Sequence, residues 1–248
     1  MLSMDIVSDL HVDYWESNPY DWSANRTSDF VIIAGDVADT IEATLRELRI
    51  ACQVYKTVMY VHGNHEATAF YGNLRETNER IAYGMRGYSN FVYLCNEDFV
   101  LGDTIFVGAC GWWDFATPDS ENRFDSSWTM VNRPTVIRNV IRSAHNDYEQ
   151  LKERVHRHPD KRVCIVTHTV PVIDPIIDPN NVFVGQICNS MMREFMNAPN
   201  VTHFVFGHHH RPTGIDTEVQ GKRLISNPRS RPDDFHRVTY APLIVDFA

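Results

Sequence analysis

Short runs of apolar, mostly β-branched residues recur along the whole chain and predict the strands of a sheet. We expect strands near residues 3–7, 30–34, 58–62, 99–108, 163–167, 202–206, 223–226 and 238–246. Stretches with helical spacing of apolar positions predict helices near residues 40–56, 73–87, 135–157 and 187–197. Strands alternate with helices early on, whereas from about Phe91 they follow one another more closely. The pattern predicts an α/β fold in which a second sheet packs on the first, rather than one doubly wound sheet.

Clusters of polar, metal-binding residue types follow several of the predicted strands. In chain order they are Asp9-Leu10-His11, Gly35-Asp36, Gly63-Asn64-His65-Glu66, His168 and Gly207-His208-His209-His210. Parallel sheets bind their ligands at the carboxyl ends of the strands, so we expect these clusters to meet at one edge. A lone Asp-x-His or a lone His is common in any sequence, and it is the ordered series that indicates a function.

The chemistry of these clusters indicates a site for two metal ions. Two dications held close together repel each other and need carboxylates as well as neutral imidazoles in their shells. Asp9 and His11 are two residues apart, so on an extended strand end both side chains project to one side. A glycine precedes Asp36 and lets the chain turn closely, which makes Asp36 the expected bridge between the ions. His208 and His210 could serve one ion or be divided between two, and we favour the division.

The ordered series resembles the calcineurin-like metallophosphoesterase superfamily, whose motifs run D-x-H, G-D-x-x-D, G-N-H-[ED], a lone His and G-H-x-H. The likeness is to its small single-domain bacterial and phage members and spans residues 5 to 210, with Gly111-Trp112-Trp113-Asp114 and Asn227-Pro228-Arg229 as further matches. The motif around His168 departs from the pattern by reading Thr-His-Thr-Val-Pro, where relatives often carry a second His. The resemblance implies the metallo-dependent phosphatase fold, a four-layer α-β-β-α sandwich of two mixed sheets.

The resemblance also implies a role for each polar residue. Seven residues would hold two ions, with Asp9, His11, Asp36 and His210 on the first and Asp36, Asn64, His168 and His208 on the second. His65 would not be a ligand and would act on the substrate, by stabilising charge on the phosphoryl oxygens or by protonating the leaving oxygen. Mixed His, Asp and Asn shells accept several metals, of which we place manganese and iron first and zinc, nickel or cobalt after them. Of the neighbouring residues, we interpret His209 as a spectator, Glu66 as either a supporting residue or part of a helix start, and Asp39 as the cap of the helix that starts near Thr40.

The implied reaction is hydrolysis of a phosphate ester by a hydroxide that bridges the two ions. The net charge of −9 opposes binding to long nucleic acid and favours a small substrate. Arg211 and Arg229 are the candidate phosphate-binding groups, with ordinary pairing to acidic residues as the alternative. We place a phosphodiesterase acting on a cyclic or small nucleotide first. The alternatives are a phosphomonoesterase, a nuclease and, from another class, a non-catalytic scaffold of the same fold.

Length and composition complete the prediction. The chain has 248 residues, of which 43% are hydrophobic, and we predict a single domain over residues 1–248. Within it, residues 111–134 carry the aromatic residues Trp112, Trp113, Phe115, Phe124 and Trp128 without clean periodicity. This segment is predicted to be either a lid or wall over the metals or a hydrophobic cluster beneath a long loop. The sequence has no apolar run long enough to cross a bilayer, and its five cysteines lack C-x-x-C spacing, which favours a reducing, cytoplasmic location.

Overall fold

Two mixed β-sheets carry the fold in a computed structural model that describes residues 2–117, 119–127, 130–172, 176–178, 183–235 and 237–247. Within those ranges the strands are β1 Leu2–Val7, β2 Phe30–Ala34, β3 Thr57–Val61, β4 Phe91–Tyr93, β5 Phe99–Leu101, β6 Thr104–Ala109, β7 Arg162–Thr167, β8 Val201–Phe206, β9 Ile215–Val219, β10 Lys222–Ser226 and β11 Leu243–Phe247. The α-helices are α1 Trp22–Asn25, α2 Ile41–Val54, α3 Arg75–Met85, α4 Ser120–Arg123, α5 Arg133–Arg157 and α6 Pro232–Phe235. Short 3₁₀ helices span Val12–Tyr14, Thr68–Phe70, Val184–Gln186 and Ser190–Asn197.

Each sheet has a parallel centre, with an antiparallel strand at one edge of the first sheet and at both edges of the second. The first sheet has the strand order β11-β1-β2-β3-β4, in which β1 to β4 are parallel and β11 is antiparallel to β1. The second has the order β5-β6-β7-β8-β10-β9, in which β6, β7, β8 and β10 are parallel and both edge strands are antiparallel. The central strands of both sheets therefore present their carboxyl ends to a common edge.

Helices cover the outer faces of the two sheets, and apolar side chains fill the space between the inner faces. Ile32 and Met59 of the first sheet belong to one buried cluster with Phe106 and Val166 of the second. Helices α2 and α3 pack on the outer face of the first sheet, and α5 packs on the outer face of the second. Burial on both sides explains why the parallel strands are almost continuously apolar. The predicted α-β-β-α sandwich of two mixed sheets is confirmed.

Helix α2 begins at Ile41, one residue later than predicted, and its cap is Thr40. The hydroxyl of Thr40 accepts a hydrogen bond from the backbone N–H of Ala43, 3.2 Å away, and so satisfies one of the unpaired donors of the first turn. The carboxylate of Asp39 is instead directed to Tyr14 and His65. The prediction that Asp39 caps this helix is therefore wrong.

The aromatic segment at residues 111–134 forms a small core of its own beside α5. Trp112, Trp113, Phe115 and Phe124 are buried, and they pack with apolar residues of α5 that include Val136 and Val140. Trp128 lies outside the described residues. The described residues of the segment include α4 and the start of α5 and form a hydrophobic cluster, and its role as a lid or wall over the metals stays a prediction.

Several predicted elements differ from the observed ones. The single strand expected near 99–108 is a hairpin of β5 and β6, which turns at Gly102 with φ 61°. The strands β4 and β9 were not predicted, the segment near 187–197 forms 3₁₀ rather than α-helix, and the last strand begins only at Leu243. Among the described residues we find no helix with the length and apolar character that membrane crossing requires.

Candidate metal centre

The predicted metal-binding residues converge at the shared edge of the two sheets. Loops that follow β1, β2 and β3 of the first sheet, and β7 and β8 of the second, bring them together. The residues are Asp9, His11, Asp36, Asn64, His168, His208 and His210. Because parallel strands end at the same edge, polar residues far apart in sequence become neighbours there.

Four of these residues have left-handed backbone, which the sequence pattern did not indicate. The φ angles are 50° at Asp9, 43° at His11, 52° at Asp36 and 65° at His208. The two-residue spacing predicted that Asp9 and His11 lie on an extended strand end, and this prediction is wrong. The backbone N–H of Asp9 donates to the carbonyl of Gly35 at 3.0 Å, and that of His11 donates to the carbonyl of Asp36 at 3.1 Å. Strained backbone of this kind clusters at functional sites, where surrounding contacts hold it in place.

Gly35 allows the loops after β2 and β3 to approach His168. Its φ is 81°, a conformation that glycine adopts without steric cost. A Cβ at this position would lie 2.6 Å from Nδ1 of His168 and 2.7 Å from the backbone N of Gly63. Glycine is needed here both for its conformation and for the missing side chain.

Asp9, His11 and His210 form the first group of candidate ligands. Nε2 of His210 lies 3.4 Å from Oδ1 of Asp9 and 3.0 Å from Nε2 of His11. Asp9 and His11 are fully buried, and His210 is partly exposed. Their ligand atoms all lie within 4.8 Å of one another.

Asp36, His168 and His208 form the second group, and Asn64 adjoins it. Nε2 of His168 is 3.2 Å from Oδ2 of Asp36 and 3.1 Å from Oδ1 of Asn64. The same Asp36 oxygen lies 3.8 Å from Nε2 of His11 in the first group. Asp36 thus stands between the two groups, as the sequence predicted for a bridging ligand.

The spacing of these atoms fits ligands that surround metal ions. Ligands about 2.1 Å from one ion lie about 3.0 to 3.4 Å apart when they subtend right to tetrahedral angles. The charges fit as well, because the ion-pair partners of the buried Asp9 and Asp36 carboxylates in the described residues are histidines only. Burial alone would raise the pKa of both carboxyls, but neighbouring histidines, chiefly His210 and His168, hold each pKa below its usual value. Two dications would neutralise this buried negative charge.

Hydrogen bonds on the far side of three imidazoles determine which ring nitrogen is available. Nδ1 of His168 lies 2.9 Å from the carbonyl of Ala34, and Nδ1 of His210 lies 2.6 Å from a carboxylate oxygen of Asp234. Each Nδ1 is therefore protonated and donates, which leaves Nε2 as the nitrogen that could bind a metal. Nε2 of His208 lies 3.1 Å from the carbonyl of Gln186, so its available nitrogen is Nδ1.

Glu66 fixes the two loops that carry Asp36 and Asn64. Its buried carboxylate accepts hydrogen bonds from the backbone N–H groups of Asp36, Val37 and Gly63, at 3.2, 2.6 and 2.8 Å. The bonds join the loop after β2 to the loop after β3. This contact is the structural basis of the supporting role predicted for Glu66.

His65 belongs to a hydrogen-bonded chain at the rim of the cluster. Its Nδ1 lies 2.7 Å from Oδ1 of Asp39, whose Oδ2 accepts from the hydroxyl of Tyr14, also at 2.7 Å. Its Nε2 lies 2.8 Å from Nη2 of Arg231, so in this arrangement His65 accepts from the guanidinium and donates to Asp39. The Arg231 guanidinium also lies over the ring of Tyr14, 4.9 Å from its centroid. The partly exposed His65 ring is thereby held with Nε2 directed toward Asp36, 3.9 Å away.

The structure places the two predicted phosphate-binding arginines differently. Arg211 is partly exposed, and its Nη1 donates to the carbonyl of Ile176 at 3.0 Å. The side chain of Arg229 is only 2% exposed, lies over the ring of Trp15 and donates to the carbonyl of Asn18 at 2.6 Å. The structure therefore does not bring Arg229 to the rim, where it has placed Arg231 instead. The signals that could have identified the missed rim residues are the second Arg of Arg-Ser-Arg-Pro and the second Asp of Gly-Asp-x-x-Asp.

Trp113 forms a wall beside the second group of ligands. Its ring is stacked on that of His208, with the centroids 5.5 Å apart and the planes inclined by 10°. The aromatic cluster of residues 111–134 thus reaches the metal centre through one side chain. The stacking fixes the orientation of the His208 ring together with the hydrogen bond to Gln186.

Comparison with known sequences gives a match over most of the chain. The sequence model of the calcineurin-like phosphoesterase family matches residues 3–212. An uncharacterised protein of Acanthamoeba polyphaga mimivirus is 23% identical to this chain, and the match covers 82% of this chain and 83% of the viral protein.

Comparison with solved structures shows the fold. The phosphopantetheinyl hydrolase PptH from Mycobacterium tuberculosis has a TM-score of 0.78 to this chain at 17% identity. The match covers 97% of this chain and 95% of the other. The likeness at this level of identity is one of architecture.

Proposed function

Because the chain belongs to the calcineurin-like phosphoesterase family, we propose that it is a metal-dependent hydrolase of small phosphodiesters, such as a cyclic or small nucleotide. The family supports metal-dependent hydrolysis of phosphate esters, and the preference for a diester is our own proposal. The single observation that carries the proposal of a metal-dependent hydrolase is the position of Asp36 between two groups of candidate ligands. One oxygen of Asp36 lies 3.2 Å from Nε2 of His168 and 3.8 Å from Nε2 of His11.

We assign the two groups to two divalent ions. Asp9, His11, Asp36 and His210 would hold the first, and Asp36, Asn64, His168 and His208 would hold the second, with manganese or iron placed first. When bound, two dications supply Lewis acidity to the phosphoryl oxygens and lower the pKa of coordinated water. The protein contributes the fixed positions of the ligands, through the Glu66 bonds and the backbone bonds of Asp9 and His11.

His65 is the group we assign to the reacting phosphate. Burial lowers its pKa, but the charges of Asp36 and of the hydrogen-bonded Asp39 outweigh burial and raise the pKa above its usual value. Asp39 fixes the ring by accepting from Nδ1, so Nε2 is the atom that can stabilise a phosphoryl oxygen or deliver a proton to the leaving oxygen. A substrate oxygen at Nε2 would replace or join the present contact with Arg231.

Arg231 is the arginine best placed to bind the substrate phosphate. It lies at the rim beside His65, and a guanidinium binds phosphate oxygens with paired N–H donors. We retain Arg211 as a second candidate because it directly follows His210 and is partly exposed. The burial of Arg229 under Trp15 favours a structural role for that residue.

The charge at the rim supports a diester over a monoester. A phosphodiester carries one negative charge where a monoester carries close to two at neutral pH. The rim residues that contact His65 and His210 are two carboxylates, Asp39 and Asp234, and one guanidinium, Arg231. The two carboxylates repel a monoanion less than a dianion, whereas bound dications would attract both, and we place phosphomonoesters second. The five cysteines are all free thiols, which supports a reducing, cytoplasmic location.

Hydrolysis of bis-p-nitrophenyl phosphate and p-nitrophenyl phosphate with added manganese tests the proposal. We expect the diester to be cleaved faster, and His65→Ala to retain its metal while turnover falls by about 10²–10⁴. His208→Ala and His210→Ala should lose metal and activity, whereas the matched control His209→Ala should retain both. Faster cleavage of the monoester would reverse the order of substrates. A wild-type protein that is inert with every metal would favour the scaffold, and loss of metal from His65→Ala would make His65 a ligand.

A further inference from the structure

A second polar cavity lies outside the metal centre, between α3, α5 and the aromatic segment. Its volume is about 510 Å³, within the range of pockets that accept small molecules. The residues that matter for its chemistry are His62, Trp112, Ser143 and Asp147, together with the charged pair of Arg75 and Glu79. Nothing in the phosphoesterase reaction requires these side chains.

Asp147 places a carboxylate in this cavity without a cation beside it. Its Oδ2 accepts hydrogen bonds from the backbone N–H groups of Gly111 at 2.7 Å and Trp112 at 3.3 Å, and these are its hydrogen bonds within the described residues. The guanidinium of Arg75 is occupied with Glu79 at 2.8 Å. The charged residues of the lining therefore sum to one uncompensated negative charge. Removal from water raises the pKa of Asp147 to about 7, although the two N–H groups act in the opposite direction.

His62 presents a second acceptor to the same cavity. The hydroxyl of Tyr93 has one proton, which it donates to Oδ1 of Asn78 at 2.7 Å. We therefore assign the contact of 2.9 Å between that hydroxyl and Nδ1 of His62 as a donation from the imidazole, whose Nδ1 also lies 3.4 Å from Sγ of Cys95. His62 is thus the tautomer with a proton on Nδ1, and its Nε2 carries a lone pair. His62 is 3% exposed, and no described residue forms a hydrogen bond with this Nε2.

A partly buried carboxylate without a cation and a buried imidazole acceptor specify the ligand chemistry. A buried carboxylate is costly unless a cation and hydrogen-bond donors satisfy it. We propose that this cavity is a binding site for a small organic cation with N–H donors, such as an alkylguanidinium, with Asp147 as its counter-ion and Nε2 of His62 as a second acceptor. Trp112 and Leu74 also line the cavity and contribute apolar surface beside the alkyl part.

The walls of this cavity continue into the metal centre. His62 is followed directly by Gly63 and Asn64, and the N–H groups held by Asp147 belong to the turn that precedes Trp113. Trp113 is stacked on the ring of His208. A ligand in the cavity therefore contacts both segments that support the second group of metal ligands.

Calorimetric titration of the full chain with n-butylguanidinium tests the proposal, with N-butylurea as the neutral compound of the same shape. At about pH 8.5, where Asp147 is ionised, we expect saturable binding of the cation and binding of the urea that is weaker by about tenfold or more. Asp147→Asn keeps an oxygen acceptor for the two N–H groups but removes the charge, and it should weaken binding of the cation by about tenfold or more.

Two further variants keep the test decisive. Ser143→Leu places a larger side chain in the cavity and should abolish binding while Asp147 is retained, so it remains informative if Asp147→Asn does not fold. Glu149→Gln, an exposed position of α5 outside the lining, removes the same charge and should bind the cation within about twofold of wild type. The proposal is overturned by failure of the wild type to bind n-butylguanidinium or by equal binding of the urea. Undiminished binding by Asp147→Asn or Ser143→Leu would overturn it as well, as would equal weakening by Glu149→Gln.

Discussion

Replacing Gly35 with alanine would test the close approach of two loops to His168. Left-handed backbone, which Gly35 has with φ 81°, costs an L residue about 1–2 kcal/mol. The added Cβ would lie 2.6 Å from Nδ1 of His168 and 2.7 Å from the backbone N of Gly63. Neither atom is the end of a flexible side chain, so overpacking should add about 1–3 kcal/mol. We expect Gly35→Ala to lower the free energy of unfolding by about 2–5 kcal/mol.

Gly102 provides the matched control for this substitution. Its φ of 61° is also left-handed, but a Cβ there would meet nothing within 4 Å. Gly102→Ala should therefore cost only the backbone contribution of about 1–2 kcal/mol. Urea unfolding of chelator-treated proteins measures both losses without a contribution from metal binding. Equal losses in the two variants would refute the close approach, and wild-type stability of Gly35→Ala would refute the left-handed geometry as well.

Three further predictions concern metal removal, the arginines and pH. A chelator should lower the melting temperature of the protein, and manganese should restore it. The reason is that an ion at a hundred times its dissociation constant stabilises the folded state by about 2.7 kcal/mol. An unchanged melting curve would contradict a metal centre. Arg231→Ala should reduce phosphoester turnover at near wild-type stability. Arg229→Ala should instead reduce thermal stability, because it opens a void beneath Trp15. The reverse pattern would contradict the roles assigned to these two arginines. Burial raises the pKa of Asp147 in the folded state from 3.8 to about 7. Between these pH values the folded state binds more protons than the unfolded state. The contribution of Asp147 to stability therefore falls as the pH rises from about 4 to about 7. Asp147→Asn should lose this decline in urea titrations, and parallel pH profiles for the two proteins would argue against the burial.

The positions of the candidate metal ligands could be predicted because they depend mainly on the topology of the sheets. A polar residue that follows a buried parallel strand must lie at the carboxyl edge of the sheet, whichever contacts it makes there. The chain order of the motifs then identified the family and the two-sheet fold, and both are confirmed. The roles of the individual ligands depend on bound ions and stay predictions.

Features that depend on contacts between distant loops could not be predicted. Arg231 lies at the rim through a contact with His65, 166 residues away in the sequence. The role of Asp39 required knowing that Tyr14 and His65 flank it, whereas a Gly-Asp-x-x-Asp pattern before a helix also suits a cap.

Two strands could not be predicted because their sequences lack a clear pattern of apolar residues. β4 has only three residues, and β9 is an edge strand whose sequence, Ile-Asp-Thr-Glu-Val, has polar residues at its three central positions. Pairing with a neighbouring strand, rather than amphipathic alternation, makes each of them a strand.

The division of the candidate ligands between two sheets has a mechanical consequence. Asp9, His11, Asp36 and Asn64 come from loops of the first sheet, and His168, His208 and His210 come from loops of the second. Ions shared by these residues would cross-link the sheets at one end. Apolar contacts form most of the remaining interface, together with hydrogen bonds such as the one from Nη1 of Arg223 to the carbonyl of Asp246. Sliding of one layer over the other would then change the coordination of the metals before it exposed the core. The loaded protein should therefore lose both layers in one cooperative step, and the stripped protein should allow them to loosen separately.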